Sequence, residues 1–334
     1  MLVSVITAVY NGELYLQECI NSILNQTYTN FEYIIVNDGS TDGTKHILDA
    51  ITDERVIIIH SERNQGAARS LNMAAERAKG IWIAVQDADD ISCPAKLEEQ
   101  VRYMQAHPDR IGVSSLIRSI SGTVPVADHV LAAIENGYNT QLPMKEVYDN
   151  RFRQCYLCHG TVMYAKEAFL KAGMYDPAYS ISYDYDLWLR LYEQMPIEKI
   201  PHVLYEYRIV TNSLTHSGGS KVNQELLHIS TKYIRKLLQY KKGTEPKLVL
   251  AGSSEGIAFF KQHVESASAL AVQEYYDLSR VQQEWKIINM LKHNKYDAVI
   301  IMGEDYNSRR FINDLRKNGL TEHEQFFRVW DYKW

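Results

Sequence analysis

The chain has few cysteines, little excess charge and no long apolar segment. It contains four cysteines among 334 residues and carries a net charge of -5 at pH 7. With an isoelectric point near 6.1, it is not expected to bind nucleic acid electrostatically. The few cysteines, and a Met1 that leads straight into an apolar strand without a charged leader, predict a reducing cytoplasm and no disulfide framework. No apolar run approaches the ~20 residues of a membrane span, so any contact with a membrane is expected at its surface.

The residues that are plentiful indicate a chain of two globular parts. Hydrophobic residues make up 46% of the sequence, and this content and length suffice for one large domain and a smaller one. Tyrosine outnumbers phenylalanine by 23 to 8. Aromatic rings that carry a hydroxyl suit contact with carbohydrate, although they do not establish it.

The first third of the chain alternates apolar runs with segments of helical spacing. The apolar runs at residues 3–9, 31–36, 56–59 and 81–85 predict strands, and apolar spacing within residues 16–24, 47–51 and 71–78 predicts helices. Repeated β-α-β units form a parallel sheet with helices on both faces, so the expected fold class is α/β. In such sheets ligands bind beyond the carboxyl ends of the strands.

Polar clusters follow four predicted strand ends, and the most acidic cluster follows residues 81–85. Asp87, Asp89 and Asp90 stand where a buried strand ends, a place where unpaired buried charge would be costly. Asp87 and Asp89 point the same way in an extended backbone, and Asp90 points the other way unless the chain turns. This arrangement can hold one divalent cation and leave a carboxylate for a sugar hydroxyl. The alternative is an acidic turn that caps a helix starting near Pro94.

The four clusters occur in the order of known family motifs. They are Thr7-Ala8-Val9-Tyr10-Asn11, Asn37-Asp38-Gly39-Ser40-Thr41-Asp42, Asn64-Gln65-Gly66-Ala67-Ala68-Arg69 and Asp87-Ala88-Asp89-Asp90. In this order they resemble the successive motifs of family 2 glycosyltransferases, over roughly residues 2–217. Members of that family have the GT-A fold, a nucleotide-binding α/β domain with a mostly parallel central sheet and a DxD metal site. The resemblance therefore implies a glycosyltransferase.

The resemblance further implies a nucleotide-sugar donor, for which a UDP-sugar is favoured. Asp38 would accept the N3–H of uracil, which cytosine lacks, and Arg69 would face the base or the phosphates. The alternatives are a tight turn at Asp38 and Gly39 and a solvated helix residue at Arg69. The predicted donor-binding residues are Thr7, Val9, Tyr10, Asn11, Asp38, Asn64, Gly66, Arg69, Asp87, Ala88, Asp89 and Arg208.

The acidic segment is also where the resemblance implies a metal ion. Asp89 and Asp90 are the predicted ligands, Asp87 is a further candidate, and the ion would be Mn²⁺ or Mg²⁺. Oxygen-only ligands suit those hard cations. The ion would neutralise charge as the diphosphate departs.

A second carboxylate is needed if the reaction inverts the anomeric centre, because a single displacement requires a base on the face opposite the leaving group. The segment from Tyr183 to Asp186 resembles the acidic pair at which a helix of the family begins, and Asp184 matches the catalytic base. Family members usually carry Glu at the position of Tyr183, a departure that concerns acceptor contacts more than the base. Asp184 could instead be a helix cap, and Asp186 is interpreted as a first-turn residue favoured by the helix dipole.

The acceptor is expected to bind between the nucleotide motifs and Asp184. His159 and Tyr183 are the acceptor candidates, and a structural role for His159 is an open alternative. The weakly periodic residues 120–153 lie between the donor and acceptor halves, where acceptor specificity is expected. Asp128, His129 and Tyr138 are available there without an assigned role.

Two further segments need an interpretation. Residues 155–159 match the C-x-x-C-H pattern of haem attachment, but one short match inside a transferase pattern is weak and we reject it. Residues 204–208 resemble the closing strand of the family, in which a histidine usually follows the arginine by two positions. Here that position is Val210, and His216 is a candidate replacement from a nearby loop.

The C-terminal third of the chain begins a second α/β pattern. Residues 224–240 predict a basic amphipathic helix, which either connects the domains or touches an anionic membrane surface. Strands at 247–252 and 298–303 and a helix over 311–320 predict a small Rossmann-like unit without the full dinucleotide fingerprint. We therefore expect a GT-A domain at 1–220, a linker helix at 221–244 and a small domain at 245–334 that serves docking or homo-oligomer formation.

These features predict an inverting, metal-dependent glycosyltransferase of the hexosyl- or N-acetylhexosaminyl-transferase type. It would move a sugar from a UDP-sugar to a glycan or lipid-linked acceptor during synthesis of a surface polysaccharide. The expected location is the cytoplasm, including peripheral contact with the cytoplasmic face of the inner membrane. One alternative is a nucleotidyltransferase, which also needs a nucleotide-binding sheet and a metal but not Asp184. The other is a catalytically silent subunit that binds sugar nucleotides or glycans, which the departures at Tyr183 and Val210 permit.

Overall fold

The chain divides into two units in the computed structural model, which describes residues 1–195, 197–210, 213, 218–265, 270–280 and 284–331. The first unit comprises residues 1–144 and 155–217, and the second comprises residues 145–154 and 218–334. The helix over residues 220–242 thus belongs to the second unit, whereas the sequence suggested a separate linker over 221–244. Its apolar side is fully buried at Leu227, Ile229 and Ile234, which explains why it is part of a core.

The first unit holds eight of the described strands and most of the described helices. The strands are β1 (Val3–Val9), β2 (Phe31–Asn37), β3 (Val56–His60), β4 (Trp82–Val85), β5 (Ile91–Ser92), β6 (Gly112–Ser121), β7 (Met163–Ala165) and β8 (Glu198–Ile209). The helices up to β8 are α1 (Leu16–Leu24), α2 (Thr44–Asp49), α3 (Ala67–Arg77), α4 (Lys96–Ala106), α5 (Asp128–Asn139), α6 (Met144–Asn150), α7 (Lys166–Lys171) and α8 (Tyr183–Tyr192). Of these, α6 lies almost entirely in the second unit.

The strands of the first unit form one mostly parallel sheet, as the sequence predicted. Their order is β3-β2-β1-β4-β7-β6-β8-β5. The pairs among β3, β2, β1 and β4 are parallel, β7 is antiparallel to both β4 and β6, and β6 is parallel to β8. The central strands are buried on both faces, which is why they are continuous apolar runs in the sequence.

The register of this sheet brings three of the predicted polar clusters to one edge. Val9 at the end of β1 pairs with Asn37 at the end of β2, and Ile6 of β1 pairs with Val85 at the end of β4. Because these strands are parallel, the loops that follow them emerge at the same edge of the sheet. This edge is the place at which an α/β sheet binds its ligands.

The second unit is a small α/β unit with its own parallel sheet. Its elements after α6 are α9 (Ser220–Lys242), β9 (Leu248–Gly252), α10 (Ser254–His263), β10 (Val272–Asp277), α11 (Glu284–Lys292), β11 (Ala298–Met302), α12 (Tyr306–Lys317) and β12 (Phe326–Val329). The strand order β10-β9-β11-β12, with parallel pairs throughout, confirms the predicted Rossmann-like arrangement. In the part of the chain that the structure describes, no helix combines the length and the hydropathy needed to cross a membrane.

Candidate active site

The acidic segment after β4 forms a tight turn that the end of β8 holds in place. The Asp90 N–H donates to the Asp87 carbonyl at 3.3 Å, so the chain turns here and does not stay extended. The Oδ1 atom of buried Asp90 accepts the Arg208 N–H at 2.6 Å. Arg208 Nε also donates to the Asp89 carbonyl at 2.7 Å. The position of the three carboxylates is therefore set by a strand more than 110 residues away in sequence.

Arg208, which the sequence assigned to the donor, is mostly committed to protein contacts. Its Nη2 donates to Glu18 at 2.7 Å, and its guanidinium lies 4.6 Å from the centre of the Tyr15 ring. The Arg208 side chain is 10% exposed, whereas that of Glu18 is 62% exposed. An ion pair with so exposed a carboxylate is weak, so Glu18 is the contact of this guanidinium that an incoming diphosphate would displace most easily.

His159 is a buried histidine that bridges the acidic turn and an aromatic cluster. One ring nitrogen, Nδ1, lies 2.8 Å from Oδ1 of Asp87, and the other, Nε2, lies 3.0 Å from the Tyr175 hydroxyl. Burial alone would raise the pKa of Asp87, but the charge and hydrogen bond of His159 hold it below its ordinary value of 3.8. Burial alone would lower the pKa of His159, and Asp87 instead raises it above 6.5. His159 was predicted as an acceptor residue, and its contacts fit the structural alternative, in which it orients Asp87.

The variant His159→Asn should lower the free energy of unfolding by roughly 2–3 kcal/mol, somewhat less than the ~3–5 kcal/mol of a fully buried ion pair, because Asp87 is partly exposed. The Asp87 contribution is present above pH 3.8 and is lost as pH falls through its lowered pKa. The His159 contribution is present below pH 6.5 and is lost as pH rises through its raised pKa. Urea unfolding should therefore show the largest difference from the native chain between those two values.

Tyr175→Phe is the matched control for this pH dependence. It removes the hydroxyl that contacts His159 and Tyr164 but leaves the pair between His159 and Asp87 intact. We expect a loss of about 1–3 kcal/mol that is the same across the pH range. A His159→Asn effect equally flat with pH would mean that His159 and Asp87 are not an ion pair.

Lys96 is a functional candidate that the sequence analysis missed. Its side chain is fully buried, and Nζ donates to the Val85 carbonyl at 2.9 Å and to the Gly160 carbonyl at 2.5 Å. Burial lowers its pKa to about 8, against the opposing effect of Asp87. Lys96 thus ties the end of β4 to the turn that carries His159 and adds positive charge behind the acidic segment. The available signal was a lysine next to Leu97, on the apolar side of an amphipathic helix.

Asp184 lies in the first turn of α8 and within electrostatic reach of the acidic turn. Burial raises the pKa of Asp184 above 3.8, the His159 charge opposes that rise and the Asp87 charge adds to it. Its Oδ1 accepts the Tyr185 N–H at 2.7 Å. The ring of neighbouring Tyr183 stands 5.5 Å from His159 at an interplanar angle of 86°. The structure therefore brings the predicted base, both acceptor candidates and Asp87 together.

A second group of predicted residues ties the loops after β1, β2 and β3 together. Asp38 is buried, and its two carboxylate oxygens accept the N–H groups of Gln65 at 2.9 Å and Gly66 at 2.8 Å. Gly66 has φ = +92° and open space where a Cβ would stand. Asn11, with φ = +52°, accepts the Thr41 N–H at 2.8 Å. Asp38 therefore shapes the loop at 64–66, and each oxygen keeps a lone pair for a further donor.

The remaining predicted donor residues differ in how far their side chains reach solvent. Thr7 and Val9 are buried, and Thr7 Oγ1 donates to the Gln86 carbonyl at 2.7 Å. Any contact of these two with a donor would have to use backbone groups. Ala88 is half-buried against the core, and the exposed side chains are those of Tyr10, Asn64 and Arg69. His216 lies outside the described residues, whereas Val210 lies within them.

The carboxylates of the acidic turn fit a divalent cation that takes part of its ligands from elsewhere. Burial and the Asp87 charge raise the pKa of Asp89 to about 6, so its anionic form gains from a nearby cation. Oδ2 of Asp90 is buried and lacks a hydrogen-bond partner within the described residues. Those residues contain no group of three or more His, Cys, Asp or Glu arranged to hold a metal by themselves. Mg²⁺ and related ions commonly bind through one or two carboxylates plus substrate phosphates.

Comparison with known proteins identifies the family of the chain. The model of the family described as Glycosyl transferase family 2 matches residues 4–172. The O-antigen biosynthesis glycosyltransferase WbnJ of Escherichia coli is 34% identical over 225 residues, which cover 65% of this chain and 83% of WbnJ.

Two solved structures resemble this chain over most of its length. The structure of S. aureus TarS in complex with UDP-GlcNAc has a TM-score of 0.57 at 16% identity and covers 88% of this chain and 80% of the TarS chain. Mannosyltransferase PcManGT from Pyrobaculum calidifontis, in complex with GDP-Man and Mn²⁺, has a TM-score of 0.52 at 15% identity. The match covers 94% of this chain and 79% of the PcManGT chain. At these identities the likeness shows the fold alone, which is the GT-A fold. The fold, the site at its sheet edge and the family match over half of the sequence agree, and the chain belongs to glycosyl transferase family 2.

Proposed function

We propose that this protein is an inverting, metal-dependent glycosyltransferase that uses a UDP-sugar. The observation that carries the proposal is the half-buried Asp184 in the first turn of α8, next to the Tyr183 ring that contacts His159. Desolvation raises the pKa of Asp184, and the charges of His159 and Asp87 also act on it. A base is useful when its pKa is shifted towards the working pH. The raised pKa of Asp184 and its separation in sequence from the nucleotide motifs suit a base better than a donor ligand.

Asp184 takes up the proton of the acceptor hydroxyl in the proposed step. The freed oxygen attacks the anomeric carbon of the sugar, the bond between that carbon and the diphosphate oxygen breaks, and the nucleoside diphosphate leaves with the electron pair. Asp89 and Asp90 would hold Mn²⁺ or Mg²⁺, which supplies charge neutralisation for the departing diphosphate. His159 and Lys96 keep Asp87 ionised and in place. Arg208 holds the turn through its backbone N–H and Nε.

The setting that we propose is synthesis of a surface polysaccharide, with a glycan or lipid-linked acceptor. Support comes from WbnJ, whose name assigns it to O-antigen biosynthesis. The four cysteines are free, in keeping with a cytoplasmic, peripherally bound enzyme. A screen of nucleotide sugars for release of free nucleoside diphosphate tests the proposal directly. Absence of release with every donor and acceptor would favour the silent binding subunit.

The base of the donor provides a sharper test. UDP should bind more tightly than CDP by roughly 1–3 kcal/mol, because Asp38 can accept the N3–H of uracil but faces only an acceptor in cytosine. Isothermal titration of the native chain with both nucleotides in Mn²⁺ measures the difference. Equal affinities would leave Asp38 with its loop-shaping contacts to Gln65 and Gly66 alone.

A further inference from the structure

Three tyrosines near Asp184 or the acidic turn have phenol hydroxyls without a hydrogen-bond partner in the described part of the chain. They are Tyr138 of α5, Tyr183 of α8 and Tyr207 of β8. None of the three hydroxyl oxygens is sealed from solvent, because none is among the buried unsatisfied atoms. Tyr183 is buried, and Tyr138 and Tyr207 are half-buried. Phenols in such places usually find a partner, and three such hydroxyls close together indicate a ligand that supplies the partners.

The three rings lie next to residues that hold the acidic turn, either directly or through a neighbouring ring. Tyr138 and Tyr207 form an edge-to-face pair with ring centroids 5.8 Å apart. Tyr207 precedes Arg208, which holds the acidic turn. Tyr183 stands edge-to-face with His159, the partner of Asp87. The rings therefore approach the site from three separate elements.

The charges that act on these three phenols agree with the ring contacts. Burial raises the pKa of Tyr138, and the Asp184 charge adds to the rise. Burial also raises the pKa of Tyr207, and among the charges that add to it are those of Asp90 and Asp89. Burial raises the pKa of Tyr183 as well, and the charges of Asp87, Asp184 and Asp89 all add to that rise. An acceptor hydroxyl must reach this same space to meet both the anomeric carbon and the base.

Polar contacts fix Tyr138 although α5 has no buried residue. The Asn139 amide donates to the Ile117 carbonyl at 2.7 Å and accepts the Ile117 N–H at 2.8 Å. Lys199 Nζ donates to the Tyr138 carbonyl. The C-terminal end of α5 is thus anchored to β6 and β8, and its last aromatic ring keeps a defined position beside Tyr207.

We propose that Tyr138, Tyr183 and Tyr207 bind the acceptor, and that the acceptor is a neutral sugar at its reacting end. Phenols exchange hydrogen bonds with sugar hydroxyls and present apolar ring faces to sugar C–H groups. Asp87, Asp89 and Asp184 all lie within electrostatic reach of Tyr183 and repel a uronate or phosphate placed beside it. This inference rests on the proposed function and names the substrate class and residues of its acceptor side.

Saturation-transfer NMR with octyl glycosides tests the inference on the full chain in Mg²⁺ and UDP. The probes are octyl glucoside, octyl galactoside, octyl N-acetylglucosaminide and octyl glucuronide. At least one neutral glycoside should bind, and the glucuronide should bind at least about 10-fold more weakly than the glucoside. The double variant with Tyr138→Phe and Tyr207→Phe should weaken the neutral probe about 10- to 100-fold, because each lost hydroxyl costs about 3- to 10-fold.

The control is Tyr240→Phe, which changes a fully solvated tyrosine of α9 in the second unit and should bind the probes like the native chain. Titration of the native chain with UDP in Mg²⁺ distinguishes a failure of the proposed function from a failure of the acceptor assignment. Failure of the native chain to bind UDP would refute the proposed function. Normal UDP binding, combined with no neutral binder, with equal affinity for glucoside and glucuronide, or with an unaffected double variant, would overturn this inference alone.

Discussion

Asp184→Asn should lower the rate of sugar transfer about 10²- to 10⁴-fold, the usual contribution of a general base. The amide keeps the shape of the side chain and its bond from the Tyr185 N–H, but it is a far weaker base. Affinity for the UDP-sugar should stay nearly unchanged, because the residue serves the acceptor proton. The measurement is the transfer rate under saturating donor together with donor affinity by calorimetry.

The pH profile gives this prediction a second readout. Burial raises the pKa of Asp184 above 3.8, and only the ionised carboxylate accepts a proton. Native kcat/KM should therefore rise as pH rises through that elevated pKa and fall below it. The Asn variant should lose this acid limb along with most of its rate.

Asp186 offers a comparison within the same helix turn. It is fully buried and accepts from Arg190 Nε at 2.9 Å, so Asp186→Asn should destabilise the fold by about 3–5 kcal/mol while the folded fraction keeps its transfer activity. If Asp184 were only a helix cap, Asn would replace it well, and Asp184→Asn would show normal turnover. That outcome would leave Asp184 a structural residue and would require another group to take the acceptor proton.

Local pattern was enough to predict the sheet and the clusters at its edge. Apolar runs gave β1 and β4 because buried parallel strands have no polar alternation. The small second sheet followed from the same signal in residues 247–252 and 298–303. Each of these predictions depends on residues that are neighbours in sequence.

The sequence could not predict which distant residues contact each other. His159 contacts Asp87 across 72 residues, and Lys96 reaches Gly160 across 64. A histidine or a lysine looks the same in sequence whether it is solvated or buried against a carboxylate. The grouping of the long helix with the second unit also depends on long-range contacts, because its basic residues suggested a surface and it packs against α10 and β12.

Asp89→Asn should raise the Kd for UDP in Mn²⁺ about 10- to 100-fold, equivalent to ~1.5–3 kcal/mol for loss of a charged contact. The carboxylate lies beside Asp87, and burial and that neighbouring charge raise its pKa to about 6. An anion in this environment is stabilised by a cation, and the cation in turn attracts the diphosphate. The neutral amide is a weaker ligand for a hard ion, so the bridge between protein and diphosphate weakens.

In EDTA the same substitution should change UDP affinity little, because no ion joins the carboxylate to the diphosphate. The substitution then removes only the repulsion between the Asp89 carboxylate and the diphosphate. Asp109→Asn is the matched control, since it changes an exposed carboxylate paired with Arg110 and should leave UDP affinity unchanged in both conditions. Calorimetric titrations of the native chain and both variants, each in Mn²⁺ and in EDTA, separate the metal effect from a general loss of charge.

Equal UDP affinity of Asp89→Asn and the native chain in Mn²⁺ would remove Asp89 from the metal site. An equal loss in Mn²⁺ and EDTA would instead show that Asp89 supports the fold of the acidic turn.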